Sequence, residues 1–382
     1  MKKHVLTAAA LVLLSIAGHA QAPTFRSETT VVQLPVRVLD AKGTFVTDLT
    51  SADIEVLEDG VPQAVSSFTL VDLATRATRT PVAPTSPTGA LPIPYLEKLD
   101  GRLYVFLIDD YNLNVTYTPR AKELVRSFIR DRMAPGDAAA VVIASGAGRQ
   151  DFTHDKRALQ IVVDRVTGGF DGGEPLRVRE ARVRSLLKLV ADLSGALAQV
   201  RGRQKSLIYV GPQMGCSVSL DTSRDMDVTF NGTDAFQSTA QDRILCNEEM
   251  WDTVRAAVQG NVSLYSIDPR GQYNPSFVGA DIDGRGGPDA ARLRSRGGGP
   301  GRPSVFDGFY VLSEHTGGFA VTGTANYRDP FDRIVRESGT YYLLAYTSTN
   351  NKADGKYRKT QVTVKRPGAQ TFYRAGYVAR RP

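Results

Sequence analysis

Two carboxylates and two amides stand together in Asp109-Asp110-Tyr111-Asn112-Leu113-Asn114, directly after the apolar run Leu103-Tyr-Val-Phe-Leu-Ile108. Acidic and amide oxygens at alternating positions can hold a hard divalent cation that a partner protein then completes. Their placement matters as much as their type. Open α/β sheets bind ligands at the carboxyl ends of their strands, which is where this run delivers them.

Other reactive groups are sparse. Beyond the first twenty residues the histidines are His154, ahead of a helix, and His315, at the end of one; both read as caps or surface residues. Gly-x-Ser-x-Gly is absent, and Ser145 in Ala144-Ser-Gly146 reads as a strand-end turn. There is no H-E-x-x-H, no P-loop, and no Gly-x-Gly-x-x-Gly after the first strand of the α/β region. Asp281-Ile-Asp-Gly284 has the look of a calcium loop, but Arg292 stands where the closing Glu belongs, so it reads as linker. Cys216 and Cys246 are the two cysteines. An even count in an exported chain reads as one disulfide, closing a loop of about thirty residues for roughly 3–4 kcal/mol.

The elements that must position these groups follow a clear order. Residues 24–72 alternate as β structure: Thr30-Val-Val-Gln-Leu-Pro-Val-Arg-Val-Leu39, a turn at Asp40-Ala-Lys-Gly43, then Ile54-Glu-Val-Leu-Glu58 with a hairpin signal at Asp59-Gly60. Residues 73–99 read as a Pro/Thr-rich linker. From residue 100 to 339 strands alternate with helices, which demands a parallel sheet covered on both faces. Thr118-Pro119 opens the first of these helices, with Thr118 as its cap. Ala121, Leu124, Val125, Phe128 and Ile129 then keep the i, i+3, i+4 spacing of a buried stripe. Insertions at 212–246 and 271–305 interrupt the unit. The second, rich in Gly, Arg and Pro, reads as disordered. Residues 340–382 return to β structure, and the two terminal β segments are expected to complete one sandwich.

Met1-Lys-Lys-His, the apolar stretch from Val5 to Ala17 and the small residues Gly18-His-Ala20 read as a cleavable signal peptide, residues 1–20. Its removal turns the formal +7 of the 382-residue chain into +5. Eight Lys or Arg and no acid lie between Lys356 and Pro382, so the rest of the mature chain nets −3. That basic segment can touch an acidic surface or polysaccharide, or simply protect a β edge with solvated charge. Export argues against nucleic acid as a partner. No later run approaches ~18 apolar residues, so no transmembrane segment is expected.

In this order the chain resembles the von Willebrand factor A domain, and more closely the secreted bacterial VWFA-related proteins of the acidobacterial type. The resemblance is carried by Val36-Arg-Val-Leu-Asp40, Glu58-Asp-Gly60, the Asp109-Asp110 turn, Leu264-Tyr-Ser-Ile-Asp-Pro-Arg-Gly271 and His315-Thr-Gly-Gly318. Tyr341-Tyr-Leu-Leu-Ala-Tyr346, Asp354-Gly-Lys-Tyr-Arg-Lys359 and Arg374-Ala-Gly-Tyr377 complete it. It covers most of the mature chain apart from the insertions. It implies a doubly wound α/β domain used for protein–protein adhesion, often through Mg²⁺ or Mn²⁺ held by an Asp-x-Ser-x-Ser turn, a distant Thr and a further Asp. This chain departs at each point. Asp109 leaves Tyr111 and Leu113 where hydroxyls belong; Asp110, one residue on, gives Asp-x-Asn112-x-Asn114. Gly168-Gly-Phe170 has no Thr, and Gly211-Pro212 no carboxylate.

The sequence therefore reads as a periplasmic or secreted binding protein, not an enzyme: a doubly wound, mainly parallel α/β domain flanked by antiparallel β segments from both termini. Asp109, Asp110, Asn112, Asn114 and the loops after Val210 and Ile267 form its expected binding face for a protein ligand. A metal-independent module binding through the basic C-terminal segment is one alternative. A secreted hydrolase with a hidden Ser/His/Asp site is the other.

Overall fold

Strands from the two ends of the chain pair with one another. The computed structural model describes residues 30–73, 90–169, 176–212, 240–271, 307–374 and 376–379. The expected signal peptide, Cys216, the Asp281-Ile-Asp-Gly284 loop and most of both insertions lie outside them. The N-terminal strands are β1 (Val31–Leu39), β2 (Ile54–Glu58), β3 (Val61–Gln63) and β4 (Val65–Asp72). After a short helix, α1 (Ile93–Lys98), the α/β region supplies β5 (Leu103–Ile108), β6 (Ala138–Ile143), β7 (Arg149–Thr153), β8 (Lys205–Val210), β9 (Val262–Ile267) and β10 (Ala320–Val321). The C-terminal strands are β11 (Thr340–Thr347), β12 (Tyr357–Val364), β13 (Gln370–Phe372) and β14 (Gly376–Val378). Two four-stranded sheets result, in the orders β13-β1-β11-β4 and β14-β12-β2-β3, each mixing strands from both ends.

The central sheet has the order β10-β9-β8-β5-β6-β7, parallel except for the edge strand β7. Every residue of β5, β6, β8 and β9 is buried. That is why these strands read as unbroken apolar runs: helices cover both faces. Tyr104, Phe106 and Ile108 pack with α2 (Thr118–Asp131), α3 (Lys156–Val163) and α7 (Arg328–Gly339). Val105 and Leu107 join the opposite cluster with α4 (Leu176–Leu197), α5 (Ala240–Gln259) and α6 (Asp307–Thr316), and that cluster runs on into the sandwich core. No helix of the described residues is long and apolar enough to cross a membrane.

Local readings need three corrections. Leu91, Leu96 and Leu99 pack with Leu103, Ala138 and Val200, so the end of the expected linker belongs to a small core. Asn114, not Thr118, is the cap: its Oδ1 accepts from Thr116 N–H and opens a single 3₁₀ turn that runs into α2. β7 carries Arg149 and Asp151 on an exposed edge, and its polar composition hid it.

Buried polar groups bind the two sandwich sheets to each other and to the α/β region. Glu58, 2 % exposed, accepts hydrogen bonds from the hydroxyls of Tyr346 (2.9 Å), Tyr377 (3.0 Å) and Ser348 (2.6 Å). Arg374 donates to Gln33 O on β1 and to Val258 O at the end of α5, where helix carbonyls lack intrahelical partners. Glu337 on α7 takes both Arg37 (2.9 Å) and Arg333 (2.7 Å). Tyr341, Tyr342, Tyr346 and Tyr377 are all buried, so the tyrosines of the last strands are packing residues.

His315 belongs to the same seam. Its Nδ1 lies 3.0 Å from Tyr357 Oη, and its ring meets Trp251 edge-on at 5.0 Å. A helix C-terminus favours imidazolium, and so does neighbouring Glu314, but burial outweighs both and lowers the His315 pKa. Below about pH 6.5 the unfolded chain then binds a proton that the folded chain resists, so stability falls as pH drops through that region. Trp251 is the chain's one tryptophan. Denaturant melts followed by its fluorescence should show a loss of stability between pH 6.5 and 5 that shrinks in His315→Gln; an identical pH slope in that variant would remove His315 as the cause.

Candidate functional site

The sheet order reverses between β5 and β8, and the chain leaves these neighbours toward opposite faces: β5 leads to α2, β8 toward α5. Such a switch point opens a crevice at the carboxyl edge. Asp109 and Asp110 from β5 and Gly211-Pro212 from β8 lie there. The ladder runs on past the strand ends, since Asp109 N–H donates to Val210 O (3.0 Å) and Gly211 N–H to Ile267 O (3.1 Å). The turns are thus fixed by backbone before any side chain acts.

Asp109 is fully buried and surrounded by donors. Its Oδ1 accepts from Asn112 N–H at 3.2 Å, and its Oδ2 from Asn112 Nδ2 at 2.8 Å and Tyr209 Oη at 2.7 Å. The Tyr209 hydroxyl also lies 2.7 Å from Pro212 O. One hydroxyl proton serves two oxygens, so a proton on Asp109 would turn both contacts into hydrogen bonds. Burial raises the Asp109 pKa; the hydrogen bonds from Asn112 and Tyr209 oppose it. Burial, reinforced by Asp109, holds Tyr209 well above the usual phenol range. Gly211 allows this approach: a Cβ there would sit 2.6 Å from Tyr209 Oη and 2.7 Å from Asp109 Cβ.

Asp110 ties two further loops. Its Oδ1 accepts from Ser145 N–H at 2.9 Å, after β6, and its carbonyl from Gly169 N–H at 3.1 Å, after α3. Thr118 Oγ1 accepts from Gly168 N–H at 3.0 Å. A Cβ on Gly168 would meet Leu113 O at 2.4 Å, so glycine is needed where the two loops touch. After β9, Asp268 forms a fork with Arg270, Nε at 3.0 Å and the terminal nitrogen at 2.7 Å. Tyr327 Oη donates to Asp268 O at 2.6 Å, and Arg120 lies over the Tyr327 ring at 5.2 Å. Arg182 donates to Tyr111 O at 3.0 Å and covers the Tyr111 ring at 5.6 Å.

The residues of the expected cation set are engaged in hydrogen bonds. A hard cation takes about six oxygens at roughly 2.0–2.6 Å. Both Asp109 oxygens, Asp110 Oδ1 and Asn114 Oδ1 already accept from nitrogen or hydroxyl donors. Asn112 turns its amide nitrogen toward Asp109, since its oxygen would repel the carboxylate. Asp110 Oδ2 and Asn112 Oδ1 carry no hydrogen bond among the described residues. Among the described residues no group of three or more His, Cys, Asp or Glu side chains could hold a metal ion. The four residues form a hydrogen-bonded turn.

The remaining sequence candidates scatter. His154 lies near Tyr95 Oη (3.1 Å) and Asp137 O (2.8 Å), and neither it nor His315 hydrogen-bonds a carboxylate. Cys246 packs, partly buried, against the larger core, while Cys216 lies outside the described residues. Within the basic C-terminal segment Arg366 pairs with Asp48 (2.5 Å), Arg358 with Asp354 (2.8 Å), and Arg374 is buried. The exposed charges described there are lysines: Lys356, Lys359 and Lys365. Tyr209, Arg120, Arg182 and Tyr327 escaped sequence reading, because a Tyr in an apolar strand and an Arg on a helix carry no motif.

No protein-family model matches the chain, and no curated protein matches it in sequence. Among solved structures it is similar to the human COPII-coat protein Sec24c, at 10 % identity and a TM-score of 0.29, over 74 % of this chain and 44 % of that one. It is also similar to the pilus adhesin SpaC from Lactobacillus rhamnosus GG, at 9 % identity and a TM-score of 0.33, over 73 % of this chain and 44 % of that one. The chain thus spans less than half the length of either structure.

Two outcomes follow. Asp109→Ala should destabilise the protein by about 1–3 kcal/mol, because the Asn112 N–H and side-chain amide lose their acceptor while Tyr209 keeps Pro212 O; Asp109→Asn, able to accept from Asn112 and donate to the Tyr209 hydroxyl, should cost about 1 kcal/mol or less. Equal losses in urea melts would mean that the hydrogen bonds contribute little. Thermal unfolding in EDTA and in millimolar Mg²⁺ or Mn²⁺ should coincide; a saturable rise abolished by Asp110→Ala would restore the cation site.

Proposed function

We propose that this chain is an exported, non-enzymatic protein-binding module built on an α/β domain of the von Willebrand factor A type. Its recognition face is the carboxyl edge of the central sheet, working without a resident cation. The observation that carries this reading is the use made of the acidic residues at the switch point. Asp109, Asp110 and Asp268 spend their carboxylates on positioning loops, so the edge is a rigid platform. On it stand the exposed Val115 and the arginine-covered ring of Tyr111. Preorganised loops at a sheet edge suit recognition, because little entropy remains to be lost on binding.

The first alternative, binding through the basic C-terminal segment, is less well supported. Its described arginines are committed to acids or backbone carbonyls, leaving scattered lysines. The hydrolase reading would need a histidine paired with a carboxylate, and the described histidines have none.

A photo-crosslinking side chain at Val115, compared in cells with one at Lys359, separates the readings. The edge predicts one discrete protein adduct from position 115 and background from 359. The reverse pattern would move recognition to the C-terminal segment. Specific labelling of the folded protein by a serine-reactive probe would reopen the enzyme class.

A further inference from the structure

Strand β4 is the longest sheet edge among the described residues without the usual protections. Exposed edges are commonly kept short, charged or interrupted by proline, because their unpaired N–H and C=O groups template further pairing. β3 has three residues with Pro62 at its centre, β13 and β14 have three each, β10 has two, and β7 carries Arg149 and Asp151. β4 has eight, Val-Ser-Ser-Phe-Thr-Leu-Val-Asp, and only its last is charged. The register with β11 skips Ser66, so one bulge blunts the start and regular edge runs from Ser67 onward.

The register also tells which backbone groups face outward. β4 pairs with β11 alone. Leu73 N–H donates to Gly339 O at 2.7 Å, and the pairing carries the same parity back through Val71↔Tyr341 and Thr69↔Leu343. Alternation along an antiparallel strand then turns the N–H and C=O of Phe68 and Leu70 away from β11. No described residue pairs with them. Leu70 is 39 % exposed at this edge.

We propose that β4 pairs with β4 of a second copy of this chain, antiparallel about a two-fold axis through Thr69, joining two four-stranded sheets into one of eight strands. Residues opposite one another in an antiparallel ladder share a face, so the axis must pass through a residue and not between two. Thr69 as the centre sets Phe68 opposite Leu70 of the second copy, and Leu70 opposite its Phe68. These are the residues whose backbone groups point outward, so four hydrogen bonds form without rearrangement. The register leaves the Ser66 bulge at the end of the ladder, and it covers Leu70. The axis sets Thr69 against its own counterpart, and residues 67–71 hold no charge to repel. One strand pair buries less than the ~1,200 Å² of a standard interface, so the dimer is a micromolar one.

Sedimentation of the mature protein at up to ~100 µM should show reversible dimerisation in the micromolar range. Thr69→Lys and Thr69→Glu each place like charges opposite one another and should sediment as monomers with unchanged melting; an equimolar mixture of the two should dimerise again. Independently, Thr69→Cys should form an intermolecular disulfide under mild oxidation, because opposed residues of a non-hydrogen-bonded pair come close enough. Ser67→Cys should cross-link only when mixed with Val71→Cys. A wild-type protein that stays monomeric and a Thr69→Cys protein that fails to cross-link would overturn the proposal. So would a Lys variant that dimerises like wild type, or equal cross-linking from Ser67→Cys alone.

Discussion

Strand β11 is the constraint on which the rest of the molecule depends. It lies between β1 and β4, antiparallel to both, so a C-terminal strand completes the sheet that N-terminal residues begin. Neither sandwich sheet can form until the chain has returned from the α/β region. That region does the closing: α7 ends at Gly339, whose carbonyl takes Leu73 N–H, and β11 begins at the next residue. A folded insert holds the two strand ends together more tightly than a flexible loop of the same length, whose closure entropy would oppose pairing. Glu58, Arg374 and Glu337 then bind the layers through hydrogen bonds, without which their burial would be costly.

At the opposite edge of the central sheet, buried acids work as architecture. A carboxylate offers several acceptor positions in a small volume, so one side chain can collect donors from two or three segments. Asp109 gathers Asn112 and Tyr209, and Asp110 gathers the loop after β6. Gly211 and Gly168 let the backbones approach closely enough for these bonds to exist. The described turns of this edge are thus held by hydrogen bonds, with side chains such as Val115 exposed beside them.

Much of this was legible in the sequence. The apolar runs at β5, β6, β8 and β9 announce buried parallel strands, and the alternation at β2 and β12 announces a half-exposed sheet, because burial on one or two faces leaves its own periodicity. The hydrogen bonds of Asp109 and Asp110 were not legible, because composition gives the donors and not their direction. Asp, Asn and Asn at alternating positions suit a metal only if their oxygens converge. Here Tyr209, a hundred residues from Asp109 in sequence, occupies a carboxylate oxygen first. The basic C-terminal segment is a related case: a count of arginines does not show that Arg374 is buried or that Arg358 and Arg366 are paired with Asp354 and Asp48. β7 was missed because an edge strand needs no apolar face.

Asp72 and Thr340 stand opposite one another in the β4–β11 ladder. The α/β unit thus leaves the sandwich and returns to it through neighbouring strands, at the end where Gly339 meets Arg102 at the start of β5. The loops of the carboxyl edge lie at the far end of the sheet. Both sandwich strands that bracket the α/β unit thus meet it at the end remote from the carboxyl edge, so loop length at that edge can change without shifting the β4–β11 register.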